Sequence, residues 1–313
     1  MPVIEVEGLR KRYGDTVAVD GVSFAVQDGE IFGMLGPNGA GKTTTVECIE
    51  GVRRPDEGRI RVLDLDPSRD RARLRQLVGV QLQRGMLPDD LRVGEAVTLY
   101  RSFYSDGADP ERLLRELGLD GKRDTRFKDL SGGQMQRLSI ALALVGNPRV
   151  AVLDELTTGL DPQARREVWQ VIEQIREIGV TVLLVSHFMD EVERLCDRVA
   201  ILDRGRVVAL DTPGGLIAKA GTPTRVRFRT PDDVDLSILT ALDEVSEVTT
   251  DRGEVVVSGE GELLHAVSST LARHGVTATE TRMEQASLDD AFLALTGRAF
   301  DTEDTETDQE ERR

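Results

Sequence analysis

The sequence predicts an α/β protein with a mixed, largely parallel core sheet, followed by a smaller α+β domain. Two observations lead to this fold class. Up to about residue 215, short apolar runs typical of buried strands alternate with amphipathic helical patterns. After a linker-like Asp-Thr-Pro-Gly-Gly stretch at 211–215, the elements follow the order β-α-β-β-α-β, which is that of a ferredoxin-like unit.

Composition and charge narrow the classes of function. A length of 313 residues suggests about two domains. The net charge of −16 argues against a nucleic-acid-binding surface, which needs clustered basic side chains. Two cysteines without C-x-x-C spacing and three scattered histidines indicate neither a disulfide nor a metal cluster. No membrane span and no signal peptide are expected, so a cytoplasmic protein is predicted, with any membrane role depending on a partner.

The first 27 residues predict antiparallel β-structure. Residues 3–9 alternate apolar and acidic side chains, and residues 16–19 and 22–26 indicate two more strands. Asp20-Gly21 between them is expected to form a hairpin turn. Tyr13 falls in the preceding loop, where an exposed aromatic ring is either ordinary surface or a platform for a base.

A phosphate-binding loop follows the predicted strand at 31–35. The segment fits G-x-x-x-x-G-K-[ST] with Gly36, Pro37, Asn38, Gly39, Ala40, Gly41, Lys42 and Thr43. The glycines let backbone N–H groups turn toward one anion, and a helix beginning near Thr44 adds a partial positive charge. Lys42 is expected to reach the β- and γ-phosphates, and Thr43 to offer a hydroxyl to Mg²⁺. The motif predicts a nucleoside triphosphate without separating a kinase, a GTPase, a helicase and a transporter ATPase.

The segment from about 84 to 146 predicts a helical insertion. Strands are expected at 58–62 and 78–83 before it, and amphipathic helices at 93–103 and 110–117 within it. Its last helix starts at a possible second anion-binding N-terminus, formed by Ser131, Gly132, Gly133 and Gln134. The alternative is a capped helix start alone.

Paired carboxylates follow the apolar strand at 150–153. Asp154 is expected to hold Mg²⁺ through water and Glu155 to polarise an attacking water, the alternative being a helix cap. A helix over 163–178 leads to a buried strand at 180–185, which ends in Ser186-His187. His187 is thus expected where strand carboxyl ends gather, the usual ligand-binding edge of an open α/β sheet.

In order and spacing, these motifs resemble the nucleotide-binding subunit of an ABC transporter over about residues 1–220. The loop at 36–43 is similar to Walker A, 130–134 to the ABC signature and 150–155 to Walker B. Residues 160–161, with Asp161, look like the D-loop, and His187 like the switch histidine.

The resemblance implies further site residues. Tyr13 matches the aromatic residue that stacks on adenine, and Thr44 adds to the ATP contacts. Gln83 matches the Q-loop glutamine, which contacts Mg²⁺, in preference to Gln81, because the strand in the family ends nearer to 83. Leu156 departs from the family, which usually has Pro there, and is expected to loosen that loop.

The resemblance also implies a fold, cofactors and partners. It implies a P-loop NTPase of the ABC ATPase fold, with an antiparallel β subdomain, that binds ATP and Mg²⁺. Two copies would pair head to tail, Ser131 to Gln134 of one facing the ATP of the other. A multi-span membrane permease would dock on the helical insertion at the cytoplasmic face of the cell membrane. A soluble ABC-type ATPase of ribosomes or DNA is the alternative, disfavoured by a single cassette without heptads and by the acidic charge.

The remaining sequence indicates an accessory α+β domain over 216–300, after an ATPase domain over 1–215. Its capped helix at 287–297 resembles the ending of daunorubicin-resistance-type exporter subunits, a branch that implies drug export and antibiotic resistance. The cargo is open between drug, lipid, polysaccharide and ion. Residues 301–313, rich in Asp, Glu and Thr, are expected to be a disordered acidic tail.

Overall fold

The computed structural model describes residues 1–81, 87–221, 223–230, 235–251, 253–284 and 286–297. The chain forms two compact units, one of Met1–Pro213 and one that begins at Gly214. The predicted acidic tail at 301–313 and Gln83 lie outside the described residues.

The first unit contains nine strands and seven helices in its described part. In chain order they are β1 (Pro2–Tyr13), β2 (Thr16–Gln27), β3 (Ile31–Leu35), α1 (Lys42–Ile49), β4 (Glu57–Val62), α2 (Arg71–Leu74), β5 (Val78–Gln81), α3 (Val93–Arg101), α4 (Pro110–Glu116), α5 (Gly132–Leu144), β6 (Val150–Asp154), α6 (Pro162–Glu177), β7 (Thr181–Ser186), α7 (Met189–Leu195), β8 (Arg198–Asp203) and β9 (Arg206–Asp211).

Six of these strands form the core sheet, in the order β5-β6-β7-β3-β8-β9. All neighbours pair in parallel except β8 and β9, which form an antiparallel hairpin. Every residue of β3, β6 and β7 is buried, as expected of parallel strands covered on both faces. The predicted α/β class with a mixed, largely parallel sheet is confirmed.

A separate antiparallel sheet of order β2-β1-β4 holds the N-terminal segment. The predicted turn at Asp20-Gly21 is wrong, because β2 runs through it without a break. Gly21 has a φ of 78° at an irregularity in the pairing with β1, and the two-residue turn is instead Gly14-Asp15. Asp20 is held from outside the hairpin, since its backbone N–H donates to the Gly205 carbonyl at 2.7 Å.

The helical insertion packs against one edge of the core sheet through α5. Gly79 in β5 marks the contact, because a Cβ added there would overlap with the Ala143 carbonyl oxygen. The insertion also contains α3, α4 and two single-turn 3₁₀ segments, Asp120–Lys122 and Phe127–Asp129.

The predicted linker at 211–215 contains the boundary between the two units, and Thr212 alone in it lies outside regular secondary structure. Helix α8 (Pro213–Ala220) begins two residues after β9 ends, with Pro at its first position. Proline suits that position, because the missing N–H would have no partner inside the helix. Pro-Gly-Gly therefore starts a helix here.

The second unit contains β10 (Thr224–Arg229), α9 (Ser237–Thr240), β11 (Val245–Asp251), β12 (Glu254–Gly259), α10 (Leu263–Arg273), β13 (Thr279–Glu284) and α11 (Leu288–Thr296). Its antiparallel sheet has the order β11-β12-β10-β13, so the predicted β-α-β-β-α-β arrangement is confirmed. Val226, Phe228 and Val257 of the sheet pack with Val267 and Leu271 of α10 in its core.

Helix α11 carries a partly buried apolar stripe. Leu288, Ala291 and Phe292 are buried, whereas Leu295, seven residues after Leu288, is 38% exposed. No helix in the described part of the chain is both long enough and apolar enough to span a bilayer.

The contact at Gly79 generates a stability prediction. Gly79→Ala should lower the free energy of unfolding by about 1–3 kcal/mol, because the added methyl forces β5 and α5 apart. Urea unfolding can be followed through Trp169, the single tryptophan, which is buried in α6 of the same unit.

Gly121→Ala is the matched control. A Cβ at Gly121 meets no atom within 4 Å, so this variant should stay within about 0.5 kcal/mol of the native chain. Equal unfolding midpoints for Gly79→Ala and Gly121→Ala would contradict the close contact of β5 with α5.

Candidate functional site

The carboxyl ends of β3, β6 and β7 meet at one edge of the core sheet. Leu35, the last residue of β3, pairs with Ser186 at the end of β7, and Asp154 of β6 pairs with Val185. The loops that follow these strands carry the phosphate-binding loop, Glu155 and His187. Parallel pairing therefore brings together three segments that are far apart in the sequence.

The phosphate-binding loop fits between backbones that leave no room for side chains at two of its glycines. A Cβ on Gly36 would overlap with the Leu202 carbonyl oxygen. Gly41 has a φ of 96°, and a Cβ there would lie 2.5 Å from the Ala18 oxygen. Gly205, in the β8–β9 turn, approaches the same Ala18 oxygen, at 2.8 Å from its own added Cβ. Backbones of β2, the loop and the β8–β9 turn thus meet at one point.

Helix α1 begins at Lys42, two residues before the predicted start at Thr44. Its N-cap is Gly41, a left-handed residue without a capping side chain, so no side chain occupies the start of the helix. Asn38, Gly39 and Thr43 are exposed around this opening. Such a helix start favours an anion.

Lys42 is 6% exposed, and its ammonium group lies inside the loop. Nζ donates to the carbonyl oxygens of Gly36 at 2.6 Å and Pro37 at 3.1 Å. Burial lowers the pKa of Lys42, while the nearby charges of Glu155 and Asp154 raise it. The loop lysine and the two carboxylates therefore share one electrostatic site.

Asp154 is a buried carboxylate at the end of β6. Burial, with the adjacent Glu155, raises its pKa to about 6, and Lys42 and His187 partly offset that rise. Its backbone N–H donates to Gln81 Oε1 at 3.1 Å, so Gln81, the less favoured Q-loop candidate, lies beside the carboxylate strand. The strand β5 ends at Gln81, and the predicted role of Gln83 stays a prediction.

Glu155 occupies a left-handed backbone conformation, with a φ of 50°. This conformation is uncommon for a residue with a side chain, and it turns Glu155 out of the strand direction. The backbone N–H donates to the Val185 oxygen at 2.9 Å, and Oε1 lies 3.4 Å from His187 Nδ1. The two predicted catalytic side chains are therefore neighbours.

Leu156 is wholly buried directly behind Glu155. The sequence predicted a looser loop at this position, because Leu lacks the fixed φ of Pro. Burial of the Leu156 side chain supplies a different restraint, since apolar contacts anchor the loop on the core side.

The segment 131–134 is a capped helix start that packs on the segment predicted as the D-loop. Ser131 Oγ accepts from the Gln134 N–H at 3.4 Å, and Gln134 Oε1 accepts from the Ser131 N–H at 3.1 Å. A Cβ on Gly132 would lie 3.2 Å from Leu160, and one on Gly133 would lie 3.2 Å from Ala164. Close packing inside a single chain is therefore a sufficient reason for glycine at positions 132 and 133.

Asp161 is the N-cap of α6. Its Oδ1 accepts from the N–H groups of Gln163 at 2.9 Å and Ala164 at 3.0 Å. These backbone hydrogen bonds lower the pKa of Asp161. The side chain thus fixes the start of the helix that follows the predicted D-loop.

Tyr13, the last residue of β1, is 40% exposed. The guanidinium carbon of Arg53 lies 5.1 Å from the centre of its ring, within the range of a cation–π contact. Stacking of adenine on Tyr13 stays a prediction.

Two acids near the site, one partly buried and one fully buried, were missed by sequence reasoning. Glu50, at the end of α1, has its pKa raised to about 7, by burial first and then by Asp154 and Glu47. Glu191, in the first turn of α7, is completely buried. The only local signal was an acidic residue on the apolar side of each short helix, which periodicity could have shown.

The donor set fits a magnesium ion bound together with a nucleotide. Mg²⁺ prefers oxygen ligands and is commonly held by one or two protein oxygens plus phosphates. The Thr43 hydroxyl and the Asp154 carboxylate are such groups. No cluster of three or more His, Cys, Asp or Glu side chains suited to a metal exists among the described residues, so a site built from protein side chains alone is not indicated there.

Comparison with known proteins places the chain among ABC transporter proteins. The sequence profile of the ABC transporter family matches residues 19–158. The Nod factor export ATP-binding protein I of Ralstonia nicotianae is 37% identical over 306 residues, covering 95% of this chain and 94% of that protein.

Solved structures agree with this placement. A subunit of the ABC transporter complex cbiONQ of Clostridium perfringens is 30% identical, with a TM-score of 0.63 over 70% of this chain and 91% of that one. A dimeric bacterial ABC transporter cassette is 26% identical, with a TM-score of 0.58 over 67% of this chain and 98% of its own length.

The predicted ATP-hydrolysing activity is thereby confirmed together with the fold. The chain belongs to the family of ABC transporter ATP-binding subunits, and it is an ATPase.

Proposed function

We propose that this chain powers export through a separate multi-span membrane permease. The observation that carries the proposal is a likeness over almost the whole length to a protein named for Nod factor export, at 94% coverage of that relative. The likeness includes the region after residue 213, whereas the solved cassettes cover about two thirds of the chain. The chain would then lie on the cytoplasmic face of the membrane, bound there by its partner.

The residues at the sheet edge divide the chemistry of hydrolysis. Lys42 and the N–H groups of 36–44 bind the phosphates, and Thr43, Asp154 and Gln83 hold Mg²⁺, which when bound neutralises charge on the phosphate oxygens. Glu155 accepts a proton from the attacking water, and His187, 3.4 Å away, steadies that carboxylate and the phosphate.

Two copies of the chain complete the site. The start of α5 exposes Ser131 and Gly132 at a helix N-terminus, which can bind a second anion. In a head-to-tail pair, this segment of one copy would face the ATP held by the other, giving two composite sites by symmetry. One of the solved relatives is a dimer.

The two regions have separate roles under this proposal. Residues 1–215 form the ATPase domain and 216–300 an accessory domain, whose ending supports the finer assignment to the daunorubicin-resistance-type branch. The partner selects the cargo, which is open between drug, lipid, polysaccharide and ion; the resemblance to the daunorubicin-resistance-type branch makes a drug the cargo that is tested below.

The division of labour between Lys42 and Glu155 predicts distinct defects. Lys42→Ala should weaken ATP binding by roughly tenfold to a hundredfold, because a charged hydrogen-bonding group is lost. Glu155→Gln should bind ATP normally but lower kcat by at least about a hundredfold, because the amide cannot accept the proton. Equilibrium binding and phosphate release measure the two effects separately.

Glu177→Gln provides the control for the second variant, since the same chemical change is made at an exposed position at the end of α6. It should behave as the native chain. Rapid turnover by Glu155→Gln would show that another group is the base.

The composite site predicts complementation between two inactive variants. Lys42→Ala and Ser131→Arg should each lack both intact sites, while a mixed dimer keeps one. An equimolar mixture should therefore recover up to about a quarter of the native ATPase rate, from half of the dimers with one of two sites. Steady-state hydrolysis across mixing ratios measures this, and normal hydrolysis by Ser131→Arg alone would refute the trans role.

Export predicts a membrane partner and directional transport. The tagged full-length chain, purified from detergent-extracted membranes, should bring down a multi-span protein in a stable complex. Inside-out vesicles containing that complex should accumulate daunorubicin when ATP is added, and vesicles with Glu155→Gln should not. Recovery of the chain with ribosomes and without a membrane protein would contradict the export function. A complex that moves another cargo would reject only the drug assignment.

A further inference from the structure

Glu191 is a fully buried carboxyl group that the proposed chemistry does not use. Its exposed fraction is 0%, and it lies in the first turn of α7, four residues after His187. An acidic side chain is rarely buried unless it is held by hydrogen bonds, because removing a carboxylate from water is energetically unfavourable. A buried glutamate this close to the site therefore needs partners.

The partners of Glu191 come from two other elements. Ser186 Oγ donates to Oε2 at 2.5 Å, and Trp169 Nε1, from α6, donates to Oε1 at 3.0 Å. Ser186, Trp169 and Thr157 each lower the pKa of this carboxyl, against the dominant rise caused by burial. The carboxyl group thus links β7 to α6 through one hydrogen bond at each oxygen.

Ser186 transmits this link to the segment that carries His187. Its Oγ also accepts from the Phe188 N–H at 3.0 Å, so the side chain of the residue before His187 is bonded to the backbone of the residue after it. Ser186 also pairs with Leu35, the residue before the phosphate-binding loop. The direction of the His187 backbone is therefore set by a hydroxyl that Glu191 orients.

A second contact from α6 holds the same segment. The Arg165 guanidinium lies 4.4 Å from the centre of the Phe188 ring, and Arg165 Nη1 donates to Asp190 at 3.3 Å. Arg165 and Trp169 are four residues apart and share one face of α6. The segment 186–191 is thus held in place by Arg165 of α6 and by the side chain of Glu191.

We propose that Glu191 is a positioning residue for hydrolysis: held by the Trp169 indole, it fixes the Ser186 hydroxyl and thereby holds His187 beside Glu155. The inference rests on the proposed role of His187. It requires that loss of the Glu191–Ser186 hydrogen bond slow the chemical step while ATP binding, which depends on the 36–44 loop, continues.

The test compares Ser186→Ala and Glu191→Leu with the native full-length chain, each also in a His187→Ala background. Both should lower kcat by about tenfold to a hundredfold, since small displacements of catalytic groups have effects of that size. The dissociation constant for ATP should change by less than about twofold, because no phosphate contact is altered. Glu193→Gln, an exposed acid on the same helix, should leave both quantities unchanged.

The His187→Ala background separates positioning from general stability. If Glu191 acts through His187, Ser186→Ala should cost less than about a further twofold in kcat once the imidazole is gone. A purely structural role would instead give the same fold loss in both backgrounds, and that result overturns the proposal. Ser186→Ala removes one oxygen, so the test stands even if Glu191→Leu does not fold.

Two further outcomes are distinguishable. If Ser186→Ala and Glu191→Leu both keep the native kcat while His187→Ala lowers it, the positioning role alone is overturned. Native kcat in His187→Ala would overturn the proposed role of the histidine, on which this inference rests.

Discussion

The parallel pairing of β7 with both β3 and β6 is the constraint on which the rest of the site depends. It sets Leu35 beside Ser186 and Asp154 beside Val185, so that the phosphate-binding loop, Glu155 and His187 leave the sheet at the same edge. Each of these three strands is completely buried, which fixes their register through the apolar core. The chemistry is thus positioned by hydrogen bonds between backbones rather than by contacts among the catalytic side chains.

Charged groups buried at that edge reduce the stability of the fold, whereas the apolar strands increase it. The same burial shifts the pKa values of these groups. Lys42, Asp154 and Glu50 are held where burial disfavours their charged forms, lowering the pKa of the lysine and raising those of the acids. Such groups cost folding free energy in their charged states, and sites of this kind are typical of enzymes. The tightly packed strands around them supply the compensating apolar burial.

The sequence was sufficient where the signal is local, and it failed where a distant residue decides the structure. The phosphate-binding loop, the buried strands and the β-α-β-β-α-β order were predictable from adjacent residues. The false turn at Asp20-Gly21 arose because its dipeptide favours a hairpin, whereas Asp20 is bound to Gly205, 185 positions away in the chain. Periodicity could have placed Glu191 and Glu50 on the apolar side of their helices, but the partners that allow an acid there come from other elements and are not visible in the local sequence. The roles of Gln83 and Tyr13 still rest on resemblance.

The meeting of backbones at Ala18 has a consequence for how such chains can diverge. Gly41 and Gly205 both crowd the Ala18 carbonyl, so the turn between β8 and β9 forms part of the wall behind the phosphate-binding loop. A longer β8–β9 turn would displace this wall and with it the phosphate-binding loop, although no residue of the turn takes part in the chemistry. The Gly14-Asp15 turn, which immediately precedes β2, faces open space at Gly14. Related chains can therefore carry insertions in the N-terminal hairpin turn, whereas steric exclusion alone fixes the length of the β8–β9 turn.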